Sequence, residues 1–139
     1  MADSNDFNVN VIEEFRANGG RVGGPFQDAD VLLLHHTGAR SGAERLTPLL
    51  YQPVGHGYAI FASKAGGPTN PDWYHNLLAN SDAVIEVGID NVKVKARVAE
   101  PTERDVIYDR QKERAPQFAR YEVEAAPRRI PVVVLDPVK

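Results

Sequence analysis

Two pairs of strand-forming runs, each folding back through a glycine-bearing connection of hairpin length, constrain this chain more than any other feature. Leu46–Val54 and Tyr58–Ser63 flank Gly55-His56-Gly57, and Ala83–Val87 and Val92–Val98 flank Gly88–Asn91. Residues tolerant of positive φ permit the reversal in both, and the second pair also alternates apolar and polar residues, so both are predicted as antiparallel hairpins. In the second, Val92, Val94, Ala96 and Val98 form the inward set. A β-rich run, Asp30–Thr37, enters Gly38-Ala39-Arg40-Ser41-Gly42 and must turn into a strand beginning near Arg45, while Ile130–Leu135 reads as a last apolar strand. Helical spacing appears in Asn8–Asn18 (Val9, Val11, Ile12, Phe15, then Gly19-Gly20), after Pro71 (Trp73, Tyr74, Leu77, Leu78) and through Pro101–Glu124, interrupted by Pro116. About six strands and two or three helices result. Consecutive hairpins predict an antiparallel sheet, and one of this size escapes exposed edges by curling closed, so the expected fold is a small mixed α+β barrel.

With 139 residues the chain is read as one domain, 1–139, whose residues 1–20 form an N-terminal helical segment free to move. Its 42% hydrophobic and 25% charged residues are the balance of a soluble globular protein. No stretch approaches the roughly 20 apolar residues that cross a bilayer, and Met1–Asn10 lacks the basic-then-apolar start of a signal peptide. A cytoplasmic location is expected. The absence of cysteine excludes disulfides, thiolate metal sites and thiol nucleophiles, and a net charge of -3 argues against nucleic acid as a partner. His35 and His36 are adjacent on a strand and face opposite ways, so no metal site is expected there.

Chemistry concentrates in three segments. Gly38–Arg45 places Arg40 and Arg45 around Ser41 and Gly42: two guanidinium groups, a hydroxyl and unencumbered amides in one loop, the outline of an anion cradle. It lacks the Gly-Lys-Ser/Thr ending of a P-loop. Ala62-Ser63-Lys64-Ala65-Gly66-Gly67 is a strand end opening into a loop with a second cation and hydroxyl. Pro71–Asn80 puts the only tryptophan and a tyrosine at a helix start, where free N–H groups favour an anion. Local positive charge on an acidic chain would concentrate an anionic cofactor.

In this order and at these separations, the three segments resemble the deazaflavin-dependent nitroreductase family, itself similar to the split β-barrel flavin reductases and pyridoxamine-phosphate oxidases. The resemblance runs from about Leu32 to Val87 and more weakly to Ile130–Val134. It implies a split antiparallel β-barrel in which Ala39, Arg40, Ser41, Arg45, Leu46, Thr47, Pro48, Leu49 and Leu50 hold the phosphate and side-chain end of coenzyme F-420. Phe61, Ala62, Ser63 and Lys64, with Asp72, Trp73, Tyr74, His75, Asn76 and Phe118, complete the cofactor site, and Phe118 and Tyr121 fall near the acceptor. Where the family often carries two consecutive basic residues, Ala39 occupies the first position, which leaves Arg40 as the phosphate clamp.

The implied activity is hydride transfer from the reduced coenzyme to a small organic acceptor such as a quinone, enone or nitroaromatic. Ser63 and Tyr121 are the candidate catalytic residues, hydrogen-bonding the acceptor oxygen as charge develops on it. Three alternatives stay open at this point: an FMN oxidoreductase on the same barrel, a cofactor-binding protein without turnover, and a quinone reductase peripheral to the inner face of the cell membrane. The oligomeric state is open as well.

Overall fold

The computed structural model describes residues 2–23 and 29–138, with side chains from residue 8 onward. Six strands close into one antiparallel barrel in the order β1-β2-β3-β6-β5-β4, with β4 returning to β1. The strands are β1 (Val31–Thr37), β2 (Glu44–Val54), β3 (Gly57–Phe61), β4 (Asp82–Val87), β5 (Asp90–Val98) and β6 (Val132–Pro137). The helices are α1 (Ala2–Ala17), α2 (Asp72–Ala79), α3 (Pro101–Arg114) and α4 (Gln117–Ala125). Four helices rather than two or three arise because Pro116 divides the predicted Pro101–Glu124 run into α3 and α4.

Both hairpins form where strand propensity and glycine predicted them. Val54↔Gly57 and Val87↔Asp90 are the closing rungs, and Gly55 (φ +57°) and Gly88 (φ +58°) supply the left-handed backbone of the turns. The last strand starts at Val132 rather than Ile130. Pro131 has no N–H to offer a ladder, and its carbonyl instead accepts the Ala62 N–H across 3.0 Å.

Three apolar layers follow from the alternation. Leu32 and Leu34 of β1, Ile60, Ile85, Val94, Val133 and Leu135 fill the barrel, where Trp73 and Leu77 of α2 join them. On the outside of β3 and β6, Ala59, Phe61, Val132 and Val134 pack under α3 and α4 through Ile107, Tyr108 and Phe118. Val31 and Leu33, on the opposite face of β1 from Leu32 and Leu34, are covered by Val11 and Phe15 of α1. The segment expected to move freely thus presents two buried side chains to the barrel wall. Beside them, the Arg16 guanidinium grips Glu86, which also meets His35 Nε2 at 2.6 Å. The inward set of β5 ends earlier than the alternation suggested: Val92, Val94 and Ala96 face the interior, but Val98 is exposed, beyond the interior. Among the described residues, no helix is long and apolar enough to cross a membrane.

Candidate functional site

The connection from β1 to β2 is a built loop. The Gly38 N–H donates to the Ala43 carbonyl at 2.8 Å and the Gly42 N–H to the Gly38 carbonyl at 2.9 Å. The Ser41 hydroxyl accepts the Ala43 N–H at 3.1 Å. Gly38 is tightly packed, since a Cβ there would lie 2.7 Å from Ser41 Oγ and displace that hydroxyl from its place in the loop; Gly42 takes φ +70° with open space around it. The loop borders a cleft of about 450 Å³ lined by Gly38, Ala39, Arg40, Ser41 and Arg45 on one side and Asp72, His75 and Asn76 of α2 on the other. Arg16, Arg97, Arg104, Arg114 and Arg129 are tied to carboxylates elsewhere. Arg40 and Arg45 stand exposed at this cleft instead.

A buried polar chain fastens the loop to α2. The Ala39 N–H donates to Asn76 Oδ1 at 2.8 Å, so the other end of that amide is its nitrogen, which faces His36 Nδ1 at 3.0 Å. His36 Nδ1 must therefore accept, and Nε2 carries the proton that goes to Thr47 Oγ1 at 2.9 Å. This requires a neutral ring. Burial, reinforced by the Arg45 charge, pushes the His36 pKa down to about 4 against a smaller opposing pull from Asp72.

The second locality surrounds a tight 3-10 turn, Lys64–Gly66, between β3 and α2. Lys64 (φ 49°) and Ala65 (φ 52°) are both in the left-handed region, which is strained for residues with a Cβ. Ser63 precedes the turn without capping it, and the Lys64 ammonium donates to Thr69 Oγ1 at 3.0 Å. Gly66 lies against α4, where a Cβ would meet Glu124 Cβ at 2.9 Å and Tyr121 Cα at 3.3 Å.

The structure thus divides the residues read from the sequence. Ala39, Arg40, Ser41, Arg45, Asp72, His75 and Asn76 share one cleft. The Ala39 N–H is spent on Asn76 Oδ1 and the Thr47 hydroxyl on His36, so these three shape the cleft from behind. Ser63, Lys64 and Tyr121 belong to the turn and its α4 cover. Leu46 and Leu50 face outward toward the α1 layer and Leu49 faces the barrel interior, while Pro48 is buried and Tyr74 half-buried with its ring 6.5 Å from that of Trp73. Phe61, Ala62, Trp73 and Phe118 are packed in the core. Phe118, expected near the acceptor, is 3% exposed and lodged between Phe61 and Tyr108, inward of Tyr121, whose ring centroid is 5.2 Å away. Helical spacing brought both aromatics to one side of α4 but did not distinguish the outer from the inner.

Sequence reading missed His36 as part of the site and Arg128 altogether. A histidine continuing the inward phase of Leu32 and Leu34 was the available signal for the first. Arg128, next to Arg129, carried none.

The F420H(2)-dependent quinone reductase family matches residues 9–137. The chain belongs to this family. A Mycobacterium tuberculosis relative named F420H(2)-dependent quinone reductase is 40% identical over 127 residues, covering 87% of this chain and 83% of the relative. A solved structure described as an F420-H2 dependent reductase (FDR-A) is 33% identical with a TM-score of 0.71, covering 82% of this chain and 100% of that one. Another, described as a domain-swapped dimer, is 30% identical with a TM-score of 0.71 over 97% of this chain and 98% of its own. This member of the quinone reductase family therefore shares both the split-barrel architecture and, at 40% identity, a close sequence relationship with proteins of that description.

The residues present suit a phosphate-bearing deazaflavin. The cleft combines two exposed guanidinium groups with a hydroxyl in one loop, which is a donor set that suits an anionic tail.

Proposed function

We propose that this chain binds reduced coenzyme F-420 and catalyses its oxidation by a quinone, with the anionic tail of the coenzyme in the cleft between the Gly38–Arg45 loop and α2. When bound, the deazaflavin supplies a hydride, a two-electron equivalent, and the protein has only to bind, orient and shield it. The observation carrying this reading is the pair Arg40 and Arg45, two exposed cations facing one cleft on a chain of net charge -3 in this family. In it the guanidinium groups bind phosphate oxygens, and the Asn76–His36 chain holds their loop against α2 so that the donors are arranged before the ligand arrives.

At the other locality, Ser63 and Tyr121 present hydroxyls that can donate to the quinone oxygen on which negative charge develops. Neither needs to act as an acid-base dyad. Enones and nitroaromatics develop charge on an oxygen in the same way and extend the acceptor class. Ser63→Ala then lowers turnover far more than coenzyme affinity.

The decisive experiment is a fluorescence titration of the protein with oxidised coenzyme F-420 and with FMN, repeated on Arg40→Ala. Saturable deazaflavin binding, tighter than FMN and weakened about tenfold or more by Arg40→Ala, is expected, since a charge-assisted hydrogen bond contributes about 1.5–3 kcal/mol. Preference for FMN, or indifference to Arg40→Ala, overturns the assignment.

A further inference from the structure

Arg128 follows α4 and reaches back to the segment between β3 and α2, far from it in sequence. Its Nε donates to the Gly67 carbonyl at 3.1 Å. Its Nη1 donates to the Ala62 carbonyl at 3.1 Å and to Asn70 Oδ1 at 2.6 Å. Its Nη2 donates to the Ser63 carbonyl at 3.0 Å and the Gly67 carbonyl at 2.7 Å. The half-buried guanidinium therefore grips both ends of the turn, Ala62 and Ser63 on entry and Gly67 and Asn70 on exit, and every oxygen it holds is formally uncharged. Only a planar five-donor fork can do this; an ammonium offers three donors from one point.

What lies between those ends needs holding. Lys64 and Ala65 are consecutive non-glycine residues in left-handed conformation, and such backbone persists only where its surroundings over-determine it. On the other side Gly66 is pressed against Glu124 and Tyr121 of α4. The turn is thus clamped between Arg128 and α4, and the clamp sets where Ser63 and Lys64 point.

We infer that Arg128 is a positioning residue that pre-forms the Ser63–Gly67 turn for ligand, acting through the turn's carbonyl groups and not by touching an anion itself. An arginine near a phosphate-bearing cofactor invites assignment as a phosphate ligand. Here all five donors are engaged by the protein, which rules that assignment out and gives the residue a different task. The inference rests on the proposed coenzyme site in assigning the turn to ligand binding; the clamp itself does not.

The test uses the full chain and the variants Arg128→Gln, Arg128→Lys, Arg40→Ala and the double variant Arg128→Gln/Ala65→Gly. Backbone amide exchange at residues 63–67 is read without ligand, and coenzyme F-420 affinity is read by fluorescence across a salt series. In Arg128→Gln, exchange in the turn rises at least tenfold while the barrel strands stay protected. Coenzyme affinity falls about tenfold with its salt dependence unchanged, because no charge–charge contact with the ligand is lost. Arg128→Lys, which keeps the charge and loses the fork, behaves like Arg128→Gln and stands in for it if that variant does not fold. Ala65→Gly restores part of the affinity, since glycine takes positive φ without strain.

Unchanged exchange and affinity in both Arg128 variants would overturn the inference. So would a salt dependence reduced as far as in Arg40→Ala, which would make Arg128 a direct anion ligand. If Arg40→Ala leaves affinity untouched, the proposed coenzyme cleft fails, while the exchange measurement still decides whether Arg128 holds the turn.

Discussion

Asn76 donates its side-chain N–H to Nδ1 of His36 across 3.0 Å, joining helix α2 to strand β1 behind the cleft that Arg40 and Arg45 line. Because the same amide accepts the Ala39 N–H and His36 donates to Thr47, every group in the chain has one role and one orientation. The position of the arginine-bearing loop therefore depends on a histidine being neutral.

That dependence has a sign. Burial and the Arg45 charge lower the folded-state His36 pKa to about 4, against about 6.5 for an unfolded histidine, with His35 adding to the lowering and Asp72 opposing it. Between those values the unfolded chain binds the extra proton and the folded chain does not, so stability is full above pH 6.5 and falls as pH drops toward 4. The loss reaches about 3 kcal/mol at the lower end, the equivalent of the shift at 1.36 kcal/mol per unit. Glu86, held below the usual carboxyl range mainly by its hydrogen bonds from Arg16, gives up its share only at lower pH. Urea melts from pH 7 to 4 on wild type and His36→Gln check this: the variant's curve is flatter over that window, and parallel curves would refute the assignment.

Replacing Asn76 by leucine keeps the volume and removes both polar contacts. The Ala39 N–H and His36 Nδ1 are left without their present partners, and unsatisfied groups of this kind cost about 1–3 kcal/mol each. Asn76→Leu is expected to lower unfolding free energy by about 2 kcal/mol and to weaken coenzyme F-420 binding with it. A stability loss with undiminished coenzyme affinity would separate the polar chain from the ligand site.

Among the described residues, Asp72 is the one carboxylate lining the cleft that Arg40 and Arg45 face. An anionic ligand seated there is repelled by it. Asp72→Asn should tighten coenzyme binding several-fold at low salt, with the difference shrinking as salt is raised. Weaker binding of the Asn variant, measured in the same titration, would show the carboxylate accepting from ligand hydroxyl groups.

Phe15 is 1% exposed and sits with Val11 against Val31 and Leu33. Phe15→Ala is expected to cost about 3–5 kcal/mol, the range for a fully buried aromatic. If chemical denaturation shows a much smaller change, α1 undocks without unfolding the barrel.

How much of this was legible in the sequence follows from the range over which each feature is encoded. The hairpins at Gly55 and Gly88 were readable because strand propensity and turn chemistry are local, as was the placing of Arg40 and Arg45 at one cleft, since both lie in one loop. Pro116 showed where the long helical run breaks. The Asn76–His36–Ala39 chain was not readable, since a buried amide and a buried imidazole find each other only when the barrel brings α2 across the end of β1. Arg128 was hidden for the same reason: its acceptors are backbone carbonyls, which leave no mark in side-chain identity. Val98 marks the opposite failure, where a sound periodicity could not say which position on a face lies deep and which lies at the rim.

Strand β6 sits between β3 and β5 although it is the last element of the barrel in chain order, so Val133 pairs with Ile60 on one side and Val98 on the other. Until it docks, two strands carry open edges, and the contacts that close them span long sequence separations. Folding of this chain should therefore be slow relative to its size, with a vulnerable interval in which those edges can recruit other chains. Mutations in β6 will register first as aggregation and poor recovery of protein, before any change in the chemistry of the molecules that do fold.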